Sequence, residues 1–115
     1  MDIETFRKKL KTTPKQVEFS ETMSVIEANY LFTPTAFKNG ELQNNVGENS
    51  GSCKLFAFAK LQSLTKDETL ACFGKFYFED VLQSPNGTGH QNIRNFMKTG
   101  FDGLVFEESP LTKKI

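Results

Sequence analysis

Three times along this chain a threonine is followed, three positions later, by glutamine or glutamate: Thr13 and Gln16, Thr65 and Glu68, Thr88 and Gln91. The hydroxyl accepts from a backbone N–H and the later side chain reaches back to the cap. Each such pair starts a helix by satisfying amide groups that no helical carbonyl can reach. Pro14 reinforces the first start, because proline lacks the N–H that its position would leave unpaired. With Pro34, Pro85, Gly40, Gly74 and Gly100 as breakers, these starts divide the chain into short helices rather than a few long ones.

The spacing predicts a first helix capped by Asp2, with Ile3, Phe6 and Leu10 as its apolar stripe. A second runs from Thr13 to about Tyr30, with Phe19, Met23, Ile26 and Tyr30 on one face. Asn39-Gly40 suits a two-residue hairpin turn with positive φ at both positions, between short strands near residues 35–38 and 41–44. Pro34 places the first of these strands at a sheet edge. Residues 44–52 read as a polar loop. Ser52 then caps a helix that is apolar all round at Leu55-Phe56-Ala57-Phe58-Ala59 and ends near Ser63. The Thr65 start opens a helix carrying Leu70, Phe73, Tyr77 and Val81, with Gly74 as its kink or end. The third start makes residues 89–99 helical, with Gly100 as C-terminal cap. Leu104-Val105-Phe106 is a short strand that can join the hairpin, and the tail after Ser109 has little to pack. The expected class is α+β, mainly helical: about five short helices with a small two- to three-stranded antiparallel sheet.

The 115 residues fit one domain, with a core from about residue 14 to 107. Twelve phenylalanines against two tyrosines and no tryptophan point to a core built from phenylalanine rings. Fourteen basic and fourteen acidic residues cancel, which leaves no global field for nucleic acid or anionic lipid. The cluster Arg7, Lys8, Lys9, Lys11 and Lys15 reads as a solvated helix face. No apolar run approaches the roughly 20 residues of a membrane span, and the N-terminus lacks the order of a secretory signal. A soluble protein made in the cytoplasm is expected. Cys53 and Cys72 are too few for a disulfide framework and are expected to be reduced.

Chemistry concentrates in two blocks. Gly51-Ser52-Cys53-Lys54 opens a helix, where the dipole, free N–H groups and Lys54 favour anions and lower a cysteine's pKa, although the same position suits simple burial of a free cysteine. His90, the only histidine, heads the block from His90 to Met97, in which His90, Gln91, Asn92, Arg94 and Asn95 are rich in hydrogen-bonding groups. A neutral imidazole there can act as a base toward Cys53 if the two helix starts converge. The competing reading makes His90 a hydrogen-bonded residue at the core edge and has Arg94 tie down a carboxylate or carbonyl. Gly47 to Lys54 fails the phosphate-loop pattern, since no Ser or Thr follows Lys54. One histidine and two distant cysteines have no metal-ligand spacing, and no cofactor is expected.

The blocks Met23 to Tyr30, Phe32 to Gly40, Asn49 to Lys54, Thr69 to Gly74 and His90 to Met97, in this order, resemble the HopJ family, named after a type III secretion effector of plant pathogens. The resemblance spans residues 19–106. It departs at Phe101, where the family pattern has tryptophan. It implies no agreed activity, cofactor or catalytic residue. The family's name implies delivery into host cells by type III secretion and a host or bacterial protein partner. The residues and the resemblance together lead to two expectations. The first is a small binding or interaction domain whose polar pocket uses Asn39, Asn49, Cys53, Lys54, His90, Asn92 and Arg94. The alternative is a cysteine-dependent enzyme using Cys53 and His90.

Overall fold

The computed structural model describes residues 1–114. Five α-helices make up most of the regular structure: α1 (Ile3–Thr12), α2 (Phe19–Asn29), α3 (Ser50–Leu61), α4 (Lys66–Ala71) and α5 (Gln91–Thr99). Single-turn helices at Pro14–Gln16 and Gly100–Gly103, and a π-helical segment at Phe76–Val81, join them. The mainly helical α+β expectation holds, but there are two small antiparallel sheets rather than one. Strand β2 (Phe37–Asn39) lies between β3 (Leu42–Asn44) and β4 (Leu104–Phe106). Strand β1 (Tyr30–Phe32) pairs with β5 (Leu111–Lys113). Among the described residues no helix is long and apolar enough to cross a membrane.

The starts at Asp2 and Thr65 fall where the sequence puts them, whereas Thr88 does not cap α5: the helix begins at Gln91, whose Nε2 donates to the Thr88 carbonyl. Asp2 accepts from the Thr5 N–H at 2.7 Å. Thr65 and Glu68 form the reciprocal box, at 3.0 and 2.9 Å. The Thr13 start is different. Pro14 opens only the turn Pro14–Gln16, and α2 begins at Phe19 on a second box, in which Glu21 accepts from the Glu18 N–H at 3.1 Å. The other oxygen contacts of the Glu21 carboxylate are with Lys9 at 2.8 Å, which holds its pKa below 4.5 and ties α1 to α2. The Val17 side chain is buried in the break between the two helical pieces.

Two further corrections concern the sheets. Pro34 does not make an edge: β2 starts three residues later and is the central strand of its sheet, so the missing N–H is outside the ladder. The tail does pack. Leu111 is buried and β5 covers β1, with the Thr33 N–H donating to Pro110 O at 2.8 Å.

The core is a chain of aromatic rings. Phe56 on α3, completely buried, meets Phe96 at 4.9 Å, Phe73 at 5.5 Å and Phe37 at 6.5 Å between ring centroids. Phe58, on the same helix, meets Phe6 and Tyr30, both at 6.1 Å, in edge-to-face geometry. That α3 is apolar all round follows from this: one side faces α1 and β1, the other faces β2, α4 and α5. Edge-to-face pairs of this kind add about 0.5–1.5 kcal/mol each beyond the area they bury.

Candidate functional site

The hairpin turn is where the site begins. Asn39 is paired with Leu42, so the two-residue connection is Gly40-Glu41, one position later than the sequence predicts. Gly40 has φ +63° while Glu41 is not in the left-handed region, the pattern of a turn needing positive φ at its first central residue only. The one-residue shift frees Asn39 from the turn and sends its side chain inward, completely buried.

Inside, Asn39 joins Asn44 and Asn92, and Asn49 meets them from the exposed edge. The Asn39 Nδ2 donates to Asn92 O at 2.7 Å and Asn92 Oδ1 at 3.0 Å. Asn44 and Asn92 exchange amide bonds: Nδ2 of Asn92 to Oδ1 of Asn44 at 2.9 Å, and the reverse at 3.3 Å. Asn44 Oδ1 also accepts from Asn49 Nδ2 at 2.6 Å, and Asn44 Nδ2 reaches Phe37 O at 3.4 Å. The network ties the hairpin to the starts of α3 and α5. Asn39 Oδ1 has no partner. Flipping that amide would set its oxygen against two acceptors on Asn92, so the donor assignment is the favourable one.

Both helices so joined begin alike. Asn49 precedes α3 and His90 precedes α5, each a non-glycine residue in the left-handed region, with φ +51° and +56°. Neither side chain caps its own helix, so the first N–H groups of both helices lack a side-chain partner. Ser52 is therefore not the cap of α3, and His90 lies before the first turn of α5 rather than in it.

The two helix starts line one cleft of about 440 Å³. Its polar side carries Asn49, Gly51, Ser52, His90, Gln91 and Asn92; its apolar side carries Leu42, Phe19, Phe73, Phe76 and Ile93. The three phenylalanines form a floor: Phe19 stacks on Phe73 at 6.2 Å and meets Phe76 edge-on at 5.3 Å. Two glycines allow this. A Cβ on Gly51 would lie 2.9 Å from Phe19 Cζ. Gly74 turns the chain at φ +59° after α4, and a Cβ there would lie 2.9 Å from the Phe19 nitrogen and Val17 oxygen. At the rim His90 Nε2 lies 3.1 Å from Asp80 Oδ2, and its ring lies 5.3 Å from Phe76.

Of the residues expected to share a pocket, Asn49, His90 and Asn92 do. Asn39 stands behind them, joined through Asn92. Lys54 points elsewhere, its Nζ 4.9 Å above the Phe32 ring. Arg94 holds carbonyls, as the structural reading anticipates: Nε to Gly89 O at 2.6 Å and Nη1 to Ser84 O at 2.9 Å. Cys53 is buried and does not line the cleft. Burial pushes its thiol up to about 11, against the lowering expected from a helix start, and Cys72 goes up to about 12 for the same reason. Cys53 follows three helical residues and its own N–H is already bonded to Asn49 O at 2.9 Å, so desolvation outweighs the weak field left there. Neither cysteine should react with an alkylating reagent near neutral pH until the protein unfolds. A thiol count in native and in urea-denatured protein checks this, and a rapidly labelled native Cys53 would contradict it. Phe19, Phe73, Phe76 and Asn44 escaped sequence reasoning. Each sits in a segment whose pattern reads as ordinary core or loop.

Among the described residues no group of three or more His, Cys, Asp or Glu side chains is placed to hold a metal ion. A search of curated proteins finds no match. A crystal structure titled as that of the unknown function protein VPA0580 is 56% identical to this chain. The match covers 99% of this chain and 95% of that one, with a TM-score of 0.97. The family model described as HopJ type III effector protein matches residues 3–111. Matched over nearly its whole length, the chain belongs to the HopJ type III effector protein family.

Proposed function

We propose that this HopJ family member is a small binding domain whose ligand sits in the cleft between the starts of α3 and α5. The observation that carries the reading is the pairing, in one cleft of about 440 Å³, of an aromatic floor with uncapped helix starts. A flat apolar group packs on Phe19, Phe73 and Phe76, while an acceptor or negative group meets the free N–H groups. The buried asparagine network keeps the two helix starts in register, so the cleft is preformed and little ordering cost falls on binding. Nothing in the geometry favours the cysteine–histidine alternative, since Cys53 lies outside the cleft that His90 lines. A host or bacterial protein supplying such a group, reached by type III secretion, is the partner class that the family description suggests.

Phenylacetate, a ring with a carboxylate, is a suitable probe in an amide ¹H–¹⁵N titration. Saturable shifts are expected at residues 50–52 and 91–93, weakened at least several-fold by Phe76→Ser, a half-exposed position. Shifts that scatter over the surface, or none at millimolar probe, would remove the proposal.

A further inference from the structure

The chain contains two Asn-Gly dipeptides, Asn39-Gly40 and Asn86-Gly87, and the fold treats them oppositely. Asparagine followed by glycine is the pair most prone to cyclise, because glycine has no side chain to hinder attack by its nitrogen. At Asn39 both reacting groups are held. The amide is completely buried, with Nδ2 bonded twice to Asn92, and the Gly40 nitrogen donates to Gly103 O at 2.9 Å.

Asn86 is exposed, as is every residue from Leu82 to Gln91. It sits in the turn Ser84–Gly87, closed by the Gly87 N–H donating to Ser84 O at 2.9 Å. A second restraint on this loop is Arg94. Its guanidinium bonds to the carbonyls of Ser84, Pro85 and Gly89, and lies so close to Gly87 that a Cβ there would be 2.8 Å from Nη2. Exposed loops open locally at small free-energy cost, so the clasp sets how often the turn lets go.

We propose that Asn86 is a self-modification site, converted to a carboxylate through a cyclic imide, and that the Arg94 clasp sets its rate. The Gly87 nitrogen gives its proton to solvent and bonds to Asn86 Cγ. Nδ2 takes up a proton from solvent, the Cγ–Nδ2 bond breaks and ammonia leaves. Water then opens the imide at either carbonyl, giving aspartate or its β-linked isomer. Water is the only co-reactant. The new carboxylate arises in a second cleft, of about 510 Å³, lined by Val81, Leu82, Pro85, Arg94 and Lys98. The charged side chains lining that cleft are both cations, so the product adds the missing sign and competes with the carbonyls for Arg94.

Peptide mapping by mass spectrometry during incubation at mildly alkaline pH tests this, with an isoaspartate methyltransferase assay as second readout. In native protein the NH₂-to-OH mass gain is expected at Asn86 and not at Asn39. In urea both sites should react at comparable rates. Arg94→Gln should speed Asn86 several-fold while Asn39 stays silent, which also reports that the variant is folded. If that variant unfolds, the native wild-type contrast between the two sites still decides. Modification of native Asn39 as fast as Asn86, or no excess at Asn86 over the other asparagines, overturns the assignment. An unchanged Asn86 rate in folded Arg94→Gln overturns the role of the clasp.

Discussion

Replacing Asn44 by alanine is expected to cost about 4 kcal/mol of folding stability, more than most core truncations of the same size. Asn44 is the hub of the buried network: four hydrogen bonds run through its side chain, to Phe37, Asn49 and twice to Asn92. At about 1 kcal/mol each the four bonds account for the loss, and the buried Asn92 amide raises it only if it stays dry and unpaired. Asn44→Asp separates hydrogen bonding from packing. It keeps the shape but turns a donor into an oxygen facing Phe37 O and Asn92 Oδ1, and should be nearly as damaging. Urea denaturation gives both values. A loss under about 1 kcal/mol for Asn44→Ala would mean that the network is solvated and energetically minor.

Phe56→Ala is the second large effect, expected at about 3–5 kcal/mol. Phe56 is completely buried and touches the rings of Phe37, Phe73 and Phe96, so its removal leaves β2, the turn after α4 and α5 without their common neighbour. Phe73 is also part of the cleft floor. Phe56→Ala should therefore weaken phenylacetate binding as well as stability, whereas Asn49→Ala, at an exposed position, should disturb the cleft with a smaller loss of stability. Phe56→Leu keeps most of the apolar volume and should cost well under half as much. A cavity that the surrounding rings fill by moving would show as a small loss on thermal unfolding of Phe56→Ala, and would contradict the packing argument.

How much of this was legible in the chain depended on whether the deciding contact was local. Thr65 and Glu68 lie three residues apart and cap their helix as written. Thr13 carries the same motif, yet Glu18 and Glu21 form a competing box five residues on, and the buried Val17 between them favours the later start. Gly100 closes α5 with φ +59°, as its position suggests. Asn39 was a candidate for its side chain, but its role depends on a turn that falls one residue later than the dipeptide indicates. Asn44 was invisible in the same way: a polar residue at a loop edge looks solvated until Asn92, 48 positions away, is placed against it. Cys53 shows the converse. Local signals allow both an activated thiol and simple burial, and the packing around α3 decides for burial and raises the pKa.

The two small sheets have a consequence for the order in which the molecule comes together. Tyr30 pairs with Lys113, and Phe37 with Phe106. Neither sheet is complete until residues 104–113 have been made, whereas α1, α2 and α3 lie before Gln62. Contacts between such distant segments carry the largest loop-closure cost and are slow to form. During synthesis the helices thus wait for the strands, and β1, with Leu31 exposed on it, has an unpaired edge for that interval.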